Sequence, residues 1–132
     1  MITGLSHITI IVRDLERTTR LFCEGLGAEE IYDSKNKNFS ISREKYFIIG
    51  GLWLVAMEGD ISEKSYRHIA FKVNEKDLAD IEKRIANLGA TIATSRPRVA
   101  GEGNSLYFYD FDHNLFELHA GDLKKRLDAY RS

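Results

Sequence analysis

A short internal repeat constrains the fold of this chain more than any other feature of its sequence. The segment LSHITI at 5–10 is matched by YRHIAF at 66–71, which places two histidines 61 residues apart. The segment LGA at 26–28 returns at 88–90, at an offset of 62. Two landmarks in the same order and at nearly the same offset indicate that the chain contains two copies of one unit.

Each copy begins with the pattern of a strand followed by a helix. Residues 7–12 form two interleaved sets of side chains, the period of a strand with two different faces. In the first copy, Asp14 is a suitable N-cap and Gly27 a suitable left-handed C-terminal cap for the helix. In the second copy, Asn74 with Asp77 predicts a start that resembles a capping box, and Gly89 predicts the end.

Three strand-like runs follow each helix, so the sequence predicts a βαβββ unit used twice. The predicted strands are 39–42, 46–49 and 52–57 in the first copy and 91–94, 106–111 and 115–119 in the second. Turns are expected at Gly50-Gly51 and at 112–114. The fold class is α+β with an antiparallel or mixed sheet, and Asp122 is expected to cap a short C-terminal helix.

The length of the chain sets its domain organisation. A chain of 132 residues buries enough surface for a core of its own, without disulfides or a structural metal. We therefore expect one domain, with module one at about 1–60, module two at about 65–121 and the C-terminal helix at about 122–131.

Charge and hydropathy exclude several classes of function. The chain has 19 Lys and Arg against 20 Asp and Glu, and no basic run, so we expect no nucleic-acid partner. Its longest uncharged stretch, 46–57, is far below the about 20 residues that a membrane span needs. A single cysteine, Cys23, and the absence of a signal-peptide pattern at Met1 predict a cytoplasmic protein.

The distribution of side chains over the strand faces predicts a candidate metal site. His7 and His68 occupy matched positions in the repeat, and Glu117 lies on the final strand with Leu115 and His119 on the same face. Two imidazoles and one carboxylate suit Mn, Fe, Co, Ni or Zn, and the ligand types alone do not choose among them. The alternative is that each histidine is an ordinary hydrogen-bonded residue at the rim of a strand. His119 is either a further ligand or a partner of one.

A basic, glycine-bearing loop precedes the strand that contains Tyr107. Arg96-Pro97-Arg98 is followed by a GEGNS segment at 101–105, and guanidinium groups, a hydroxyl and exposed backbone N–H groups are what a phosphate-like anion requires. A flexible surface loop is the competing interpretation. Arg126 on the last helix faces the same site or pairs with Asp122.

Other conspicuous side chains have simpler interpretations. Cys23 lies in the middle of the first predicted helix and is expected to have a packing role. Trp53 is expected in the core rather than at the wall of a cleft. The charged run 43–45 has the composition of a turn between two strands, and composition alone does not distinguish Glu44 from its neighbours.

Several motifs together resemble a known family. The doubled unit with His7, His68 and Glu117 is similar to the vicinal oxygen chelate (glyoxalase) superfamily. Five segments resemble its fosfomycin-resistance branch: GLSHIT at 4–9, GLWL at 51–54, RPRV with GEG at 96–103, YFYD at 107–110 and LFELHAG at 115–121. The segment SREKYF at 42–47 resembles the FosX type of this branch, which adds water to its substrate.

This resemblance implies a mechanism and a set of residue roles. It implies a homodimer in which each metal, expected to be Mn²⁺, is held by residues of both chains. The small-molecule substrate would be the phosphonate epoxide fosfomycin, with Glu44 as the general base that activates water. The resemblance further implies that the pocket is lined by Tyr66 and Thr9 and that the phosphonate is held by Arg98, Ser105, Tyr107 and Arg126.

Two alternatives stay open from the sequence. The first is a metal-dependent transferase that adds glutathione or bacillithiol to fosfomycin. The second is a metal-free binding module on the same scaffold. Product analysis with and without thiols separates the first from a hydrolase, and metal analysis separates the second.

Overall fold

A computed structural model describes residues 1–37 and 39–132, and the chain divides into two compact units, Met1–Glu63 and Lys64–Ser132. Each unit contains one four-stranded mixed sheet, and its elements follow the order strand, helix, three strands. The α+β architecture with two βαβββ modules that the repeat predicts is therefore confirmed. In the described part of the chain, no helix combines the length and apolar character that a membrane crossing requires.

The first unit consists of β1 (His7–Val12), α1 (Leu15–Arg20) with a π-helical turn (Leu21–Gly25), β2 (Glu29–Asp33), β3 (Glu44–Ile49) and β4 (Leu52–Glu58). The strand order is β1-β4-β3-β2, with β1 parallel to β4 and the other pairs antiparallel. The helix begins where the Asp14 carboxylate accepts the backbone N–H of Arg17 at 3.1 Å. Gly27, at φ 72°, takes the left-handed conformation after the helical segment.

One face of this first sheet forms the core against α1. Ile10, Val12 and Leu54 are buried on that face, and Phe22 packs edge-on against Phe47 with ring centroids 5.2 Å apart. Because strand side chains alternate, the opposite face carries His7, Thr9, Trp53, Val55, Tyr46 and Glu44. The candidate residues of the first unit thus share the face that the helix does not cover.

The second unit repeats this plan with β5 (His68–Lys72), α2 (Leu78–Asn87), β6 (Thr91–Ala93), β7 (Ser105–Tyr109), β8 (Leu115–His119) and the C-terminal α3 (Leu123–Arg131). The order is β5-β8-β7-β6, with β5 parallel to β8. Phe108 and Phe116 stack 5.4 Å apart in its core, near the buried Ile85 of α2. Asp122 caps α3 by accepting the backbone N–H of Lys125 at 2.8 Å.

The register of this second sheet fixes the positions of the candidate site residues. Glu117 lies between Ala70 on β5 and Tyr107 on β7, and Ser105 is paired with His119. All of these residues lie on the face opposite the Phe108 and Phe116 core. The second unit therefore also presents a functional face away from its helix.

The structure corrects three local predictions. Residues 39–42 form bends rather than a strand, and the strand that pairs with β3 is β2, Glu29–Asp33. Glu44 lies inside β3 and not in a turn. Asn74 makes no side-chain cap hydrogen bond, because a 3₁₀ turn, Glu75–Asp77, precedes α2. The predicted strand 39–42 adjoins Asn38, which lies outside the described residues.

Candidate active site

The center of the second unit's functional face is a histidine and a carboxylate in direct contact. His68 Nε2 lies 3.1 Å from Glu117 Oε1. His68 Nδ1 lies 2.7 Å from the backbone carbonyl of Tyr66, which accepts hydrogen bonds only, so this nitrogen must donate. In the neutral ring, Nε2 then presents a lone pair to a carboxylate oxygen, an arrangement that requires a proton or a cation between the two atoms.

Glu117 is held as a carboxylate although it is only 3% exposed. Burial acts to raise the pKa of Glu117, but hydrogen bonds from Ser105 and Tyr107, with the charge of Arg98, outweigh it and leave that pKa below its ordinary value. The Ser105 hydroxyl donates to Glu117 Oε2 at 2.6 Å. A buried anion supported in this way is suited to holding a metal ion.

A hydrogen-bond relay connects Glu117 to the C-terminal helix. Because the Ser105 proton is given to Glu117, His119 Nδ1, 2.7 Å from Ser105 Oγ, must be the donor of that pair. His119 Nε2 is then an acceptor, and Arg126 Nη2 lies 3.4 Å from it. Burial lowers the pKa of His119, in keeping with a neutral ring. Of the two positions expected for Arg126, the structure shows the one that faces this site, against His119, and not the pairing with the carboxylate of Asp122.

Arg98 and two tyrosines form the cationic part of this face. Tyr66 Oη donates to Tyr107 Oη at 3.1 Å, and Arg98 Nη2 donates to the same oxygen at 3.3 Å. Burial, with the hydrogen bonds to Tyr66 and Glu117, outweighs the lowering effect of Arg98 and raises the pKa of Tyr107 to about 12, so this phenol keeps its proton. Among the described residues, the buried Nε of Arg98 has no hydrogen-bond partner.

The first unit contributes a different set of groups on its own functional face. Glu44 is 7% exposed, and its Oε1 accepts the hydroxyl of Tyr46 at 2.9 Å. Its backbone is fixed by Ser34, whose hydroxyl accepts the Glu44 N–H at 3.0 Å and whose own N–H donates to the Glu44 carbonyl at 3.0 Å. The hydrogen bond to Glu44 raises the pKa of Tyr46. Glu44 is thus a positioned carboxyl group at the start of a strand.

His7 lies on the same sheet face as Glu44, next to an aromatic pair. Its ring centroid is 4.2 Å from that of Trp53, which contacts Tyr46 edge-on at 5.2 Å. His7 and Thr9 are exposed, and Trp53 is half-buried, so the expectation that Trp53 belongs to the core is wrong. The Trp53 Nε1 is buried and has no hydrogen-bond partner among residues 1–37 and 39–132.

The predicted metal ligands are brought together only in part within one chain. Across the described residues, no group of three or more His, Cys, Asp or Glu side chains is placed to hold a metal ion. His68 and Glu117 are in contact, whereas His7 belongs to the other unit. The resemblance implied ligands from two chains, an arrangement that one chain does not test. The triad of His7, His68 and Glu117 therefore stays a prediction.

The structure shows two further residues bonded to candidate site residues that the sequence did not single out. Glu102 is fully buried and is bonded to both Arg96 and Arg98. Tyr46, which follows Glu44 by two residues in β3, donates its hydroxyl hydrogen to the Glu44 carboxylate. The alternation of β3 was a usable signal for Tyr46, since residues i and i+2 share a face. Glu102 left no local signal, because its partners are defined by the path of a loop.

Comparisons with known proteins agree with this geometry. Residues 4–118 match the Glyoxalase/Bleomycin resistance protein/Dioxygenase superfamily. The chain is 54% identical over 131 residues to the fosfomycin resistance protein FosX of Listeria monocytogenes, covering 98% of each. It is 34% identical to the metallothiol transferase FosB of Bacillus licheniformis, covering 99% of this chain and 84% of that protein.

A solved structure extends the likeness to three dimensions. A variant of FosX from Listeria monocytogenes, crystallised with Mn(II) and 1S,2S-dihydroxypropylphosphonic acid, superposes with a TM-score of 0.89 at 51% identity. The alignment covers 98% of this chain and 99% of that one. The chain therefore belongs to the glyoxalase/bleomycin resistance protein/dioxygenase superfamily and, within it, to the family of the FosX fosfomycin resistance proteins.

Proposed function

We propose that this protein is a Mn²⁺-dependent epoxide hydrolase that inactivates fosfomycin by adding water to its oxirane ring. The observation that carries the proposal is that the chain, 54% identical to FosX, has a buried, positioned carboxyl group, Glu44, in one unit and a cationic group around Arg98 in the other. The relative crystallised with Mn(II) holds a dihydroxypropylphosphonic acid, a diol of the kind that water addition produces.

The donor set of the second unit fits a divalent transition-metal ion. His68 Nε2 and Glu117 Oε1 face each other at 3.1 Å with a lone pair on each atom, and a cation satisfies both. We infer that His7, His68 and Glu117 hold the metal. When bound, Mn²⁺ supplies Lewis-acid stabilisation of the negative charge that develops as the epoxide opens.

The phosphonate group is assigned to the cationic part of the site. Arg98 Nη2 donates to two neutral hydroxyls, those of Ser95 and Tyr107, which a phosphonate oxygen can replace as acceptors, and Tyr107 keeps its proton at neutral pH. Charge-assisted hydrogen bonds from a guanidinium are suited to a phosphonate dianion. Ser105 and Arg126 belong to the same face through His119, and Thr9 and Tyr66 are assigned to the walls of the pocket.

Glu44 is assigned the role of general base. The attacking water forms a bond to a ring carbon while the ring C–O bond breaks, and Glu44 accepts the proton that the water loses. The ring oxygen takes up a proton in turn, so the product carries two neutral hydroxyl groups and an unchanged phosphonate. The Tyr46 hydroxyl holds one carboxylate oxygen at 2.9 Å, which fixes the orientation of the base.

We further propose that the working form is a cytoplasmic homodimer with each site shared between chains. The support is that His7 is exposed in one chain, whereas the His68 and Glu117 pair is formed without it. The free Cys23 is compatible with a reducing compartment.

A product assay tests the proposed function. Purified protein is incubated with Mn²⁺ and fosfomycin without any thiol and followed by ³¹P NMR, with Glu44→Gln as the matched control. The expected result is a diol formed by the wild type and lost in the variant. Formation of an adduct only when glutathione or bacillithiol is added would instead identify a thiol transferase, as the FosB relative suggests. A protein with no stoichiometric metal and no turnover would be a binding module.

A further inference from the structure

Glu102 is a charged side chain that the proposed chemistry does not use, although it is completely buried. It is 0% exposed in the loop between β6 and β7. Arg96 Nη2 donates to its Oε1 at 2.6 Å, Arg98 Nη1 donates to the same oxygen at 2.9 Å, and the Val99 N–H donates to Oε2 at 3.0 Å. These hydrogen bonds, above all that of Arg96, hold the pKa of Glu102 far below its ordinary value.

The loop is built to direct this carboxylate inward. Gly101 and Gly103, on either side of Glu102, have φ angles of 91° and 98°, a conformation that L side chains rarely adopt. A Cβ atom at position 103 would also lie 2.7 Å from the backbone oxygen of Ala120. The backbone on both sides of Glu102 is therefore restricted to glycine.

The main consequence of this arrangement falls on Arg98. The Arg98 side chain is 15% exposed, with Nη1 on Glu102 and Nη2 donating to the hydroxyls of Tyr107 and Ser95, each 3.3 Å away. A guanidinium is planar, so fixing one nitrogen fixes the direction of the others. The next carboxylate within reach is Glu117, whose Oε2 lies 3.7 Å from Arg98 Nη2. Without Glu102, Arg98 would turn toward Glu117 and away from an incoming anion.

We propose that Glu102 is a positioning residue for phosphonate binding, which holds the Arg98 guanidinium through Nη1 so that Nη2, which otherwise donates to two neutral hydroxyls, faces the ligand. Glu102 acts through Arg98 and does not touch the substrate. The inference rests on the proposed function for the identity of the ligand. The recognition chemistry itself is that of any small phosphonate dianion.

The test uses one variant and one matched control in the same network. Glu102→Gln removes the charge with little change of shape. Tyr130→Phe removes a hydroxyl that accepts Arg96 Nη2 at 3.1 Å and also bonds to Glu102, but it leaves the charge of Glu102 and its contact with Arg98 in place. Steady-state turnover of fosfomycin gives KM and kcat separately. Saturation-transfer NMR on EDTA-treated protein gives the affinity for methylphosphonate without any turnover.

The proposal predicts a split between the two kinetic constants. In Glu102→Gln, KM should rise about 10-fold and methylphosphonate affinity should fall by a similar factor, while kcat stays within about 3-fold, because a misplaced Arg98 weakens binding rather than the proton transfer. In Tyr130→Phe, all three values should stay within about 2-fold of the wild type. A folded Glu102→Gln protein with unchanged KM and unchanged methylphosphonate affinity would overturn the proposal. So would equal effects in both variants.

Folding and the proposed function are controlled separately. If Glu102→Gln does not unfold cooperatively, the double variant Arg96→Met/Glu102→Gln, which removes one of the two uncompensated cations, is judged by the same criteria. If neither variant folds, Glu102 is a structural residue and the proposal fails. If the wild type does not open fosfomycin, the proposed function fails, but the methylphosphonate measurement still decides the role of Glu102. A wild type that binds no methylphosphonate contradicts that role as well.

Discussion

The two halves of this protein share one architecture but differ in how their functional faces are organised. Both sheets have a parallel outer pair and an apolar face against a helix. In the second unit, Glu117 and Glu102 are buried, and the half-buried Arg98 bonds to Glu102 at 2.9 Å and lies 3.7 Å from Glu117. In the first unit, His7 is exposed and Glu44 is bonded mainly to its own strand and loop. The duplication supplied a common frame, and the two copies carry different polar and charged groups on it.

The largest expected effect comes from removing one histidine of the repeat in either unit. If the triad holds the metal, His7→Ala and His68→Ala should each lower Mn²⁺ affinity by about 100-fold or more and abolish turnover, because one of three ligands is lost. Titration calorimetry with Mn²⁺ measures this. His113→Ala, which changes a histidine in the β7–β8 turn, is the control and should bind Mn²⁺ normally.

Mixing the two variants sharpens the comparison between the units. If each site takes His7 from one chain and His68 from its partner, refolded mixtures of His7→Ala and His68→Ala should recover about a quarter of the wild-type activity, since half of the dimers contain one intact site. No recovery would place all ligands within one chain.

Glu44→Gln is expected to have the next largest effect, and of a different kind. Loss of the base should lower kcat by about 10²- to 10⁴-fold. The KM for fosfomycin and the affinity for Mn²⁺ should stay near the wild-type values, because Glu44 is neither a proposed metal ligand nor a proposed phosphonate contact. Steady-state kinetics and calorimetry measure both. A large change in Mn²⁺ affinity would contradict the assignment of Glu44 as a base that does not hold the metal.

Tyr46→Phe should produce a smaller loss within the first unit. The variant keeps the ring beside Trp53 but removes the hydrogen bond to Glu44. We expect kcat to fall by about 3- to 10-fold with KM unchanged, since one charge-assisted hydrogen bond that orients the base is lost. Tyr32→Phe is the matched control. The ring centroids of Tyr32 and Tyr46 are 4.8 Å apart, and within the described part of the chain Tyr32 makes no hydrogen bond to Glu44.

The smallest predicted effect concerns stability and its dependence on pH. Hydrogen bonds from Arg43 hold the pKa of Asp33 at about 2. Since the folded pKa is depressed, this stabilisation is complete above about pH 4 and disappears as the pH falls toward 2. Arg43→Met should therefore lower the free energy of unfolding by about 1–2 kcal/mol at pH 7, after allowance for solvent screening, and by less at pH 3.

Urea unfolding at several pH values measures this difference. The control is Arg20→Met, because the Arg20–Glu24 pair is highly exposed at 69% and 59%. That variant should change stability by less than about 0.5 kcal/mol at any pH. An Arg43→Met penalty that does not shrink in acid would contradict the assignment to Asp33.

The sequence alone predicted the duplicated frame but not every strand. The strand at Glu29–Asp33 was missed because three of its five residues are acidic, as suits an exposed edge strand, and its register is interrupted between Glu30 and Tyr32. The alternation of Phe39 and Ile41 suggested a strand, yet both side chains are exposed in bends. Local pattern could not distinguish these two segments, because the choice depends on which of them pairs with β3.

Some residues of the candidate site could be predicted from the sequence and others could not, for similar reasons. His68 and Glu117 were predicted because strand alternation and the repeat place them on known faces, and the structure brings them into contact. Glu44 gained its importance from family resemblance, since its strand position was not recognised. Glu102 was missed because the partners of a buried loop carboxylate depend on the three-dimensional path of that loop.

The most direct test of the account is the identity of the product formed in competition. Fosfomycin is incubated with the Mn²⁺-loaded protein in H₂¹⁸O with millimolar glutathione or bacillithiol, and the products are analysed by mass spectrometry. The account predicts a diol that carries one ¹⁸O atom in nearly all product, with a yield independent of the thiol. A thiol adduct as the main product, or a diol without ¹⁸O, would contradict it.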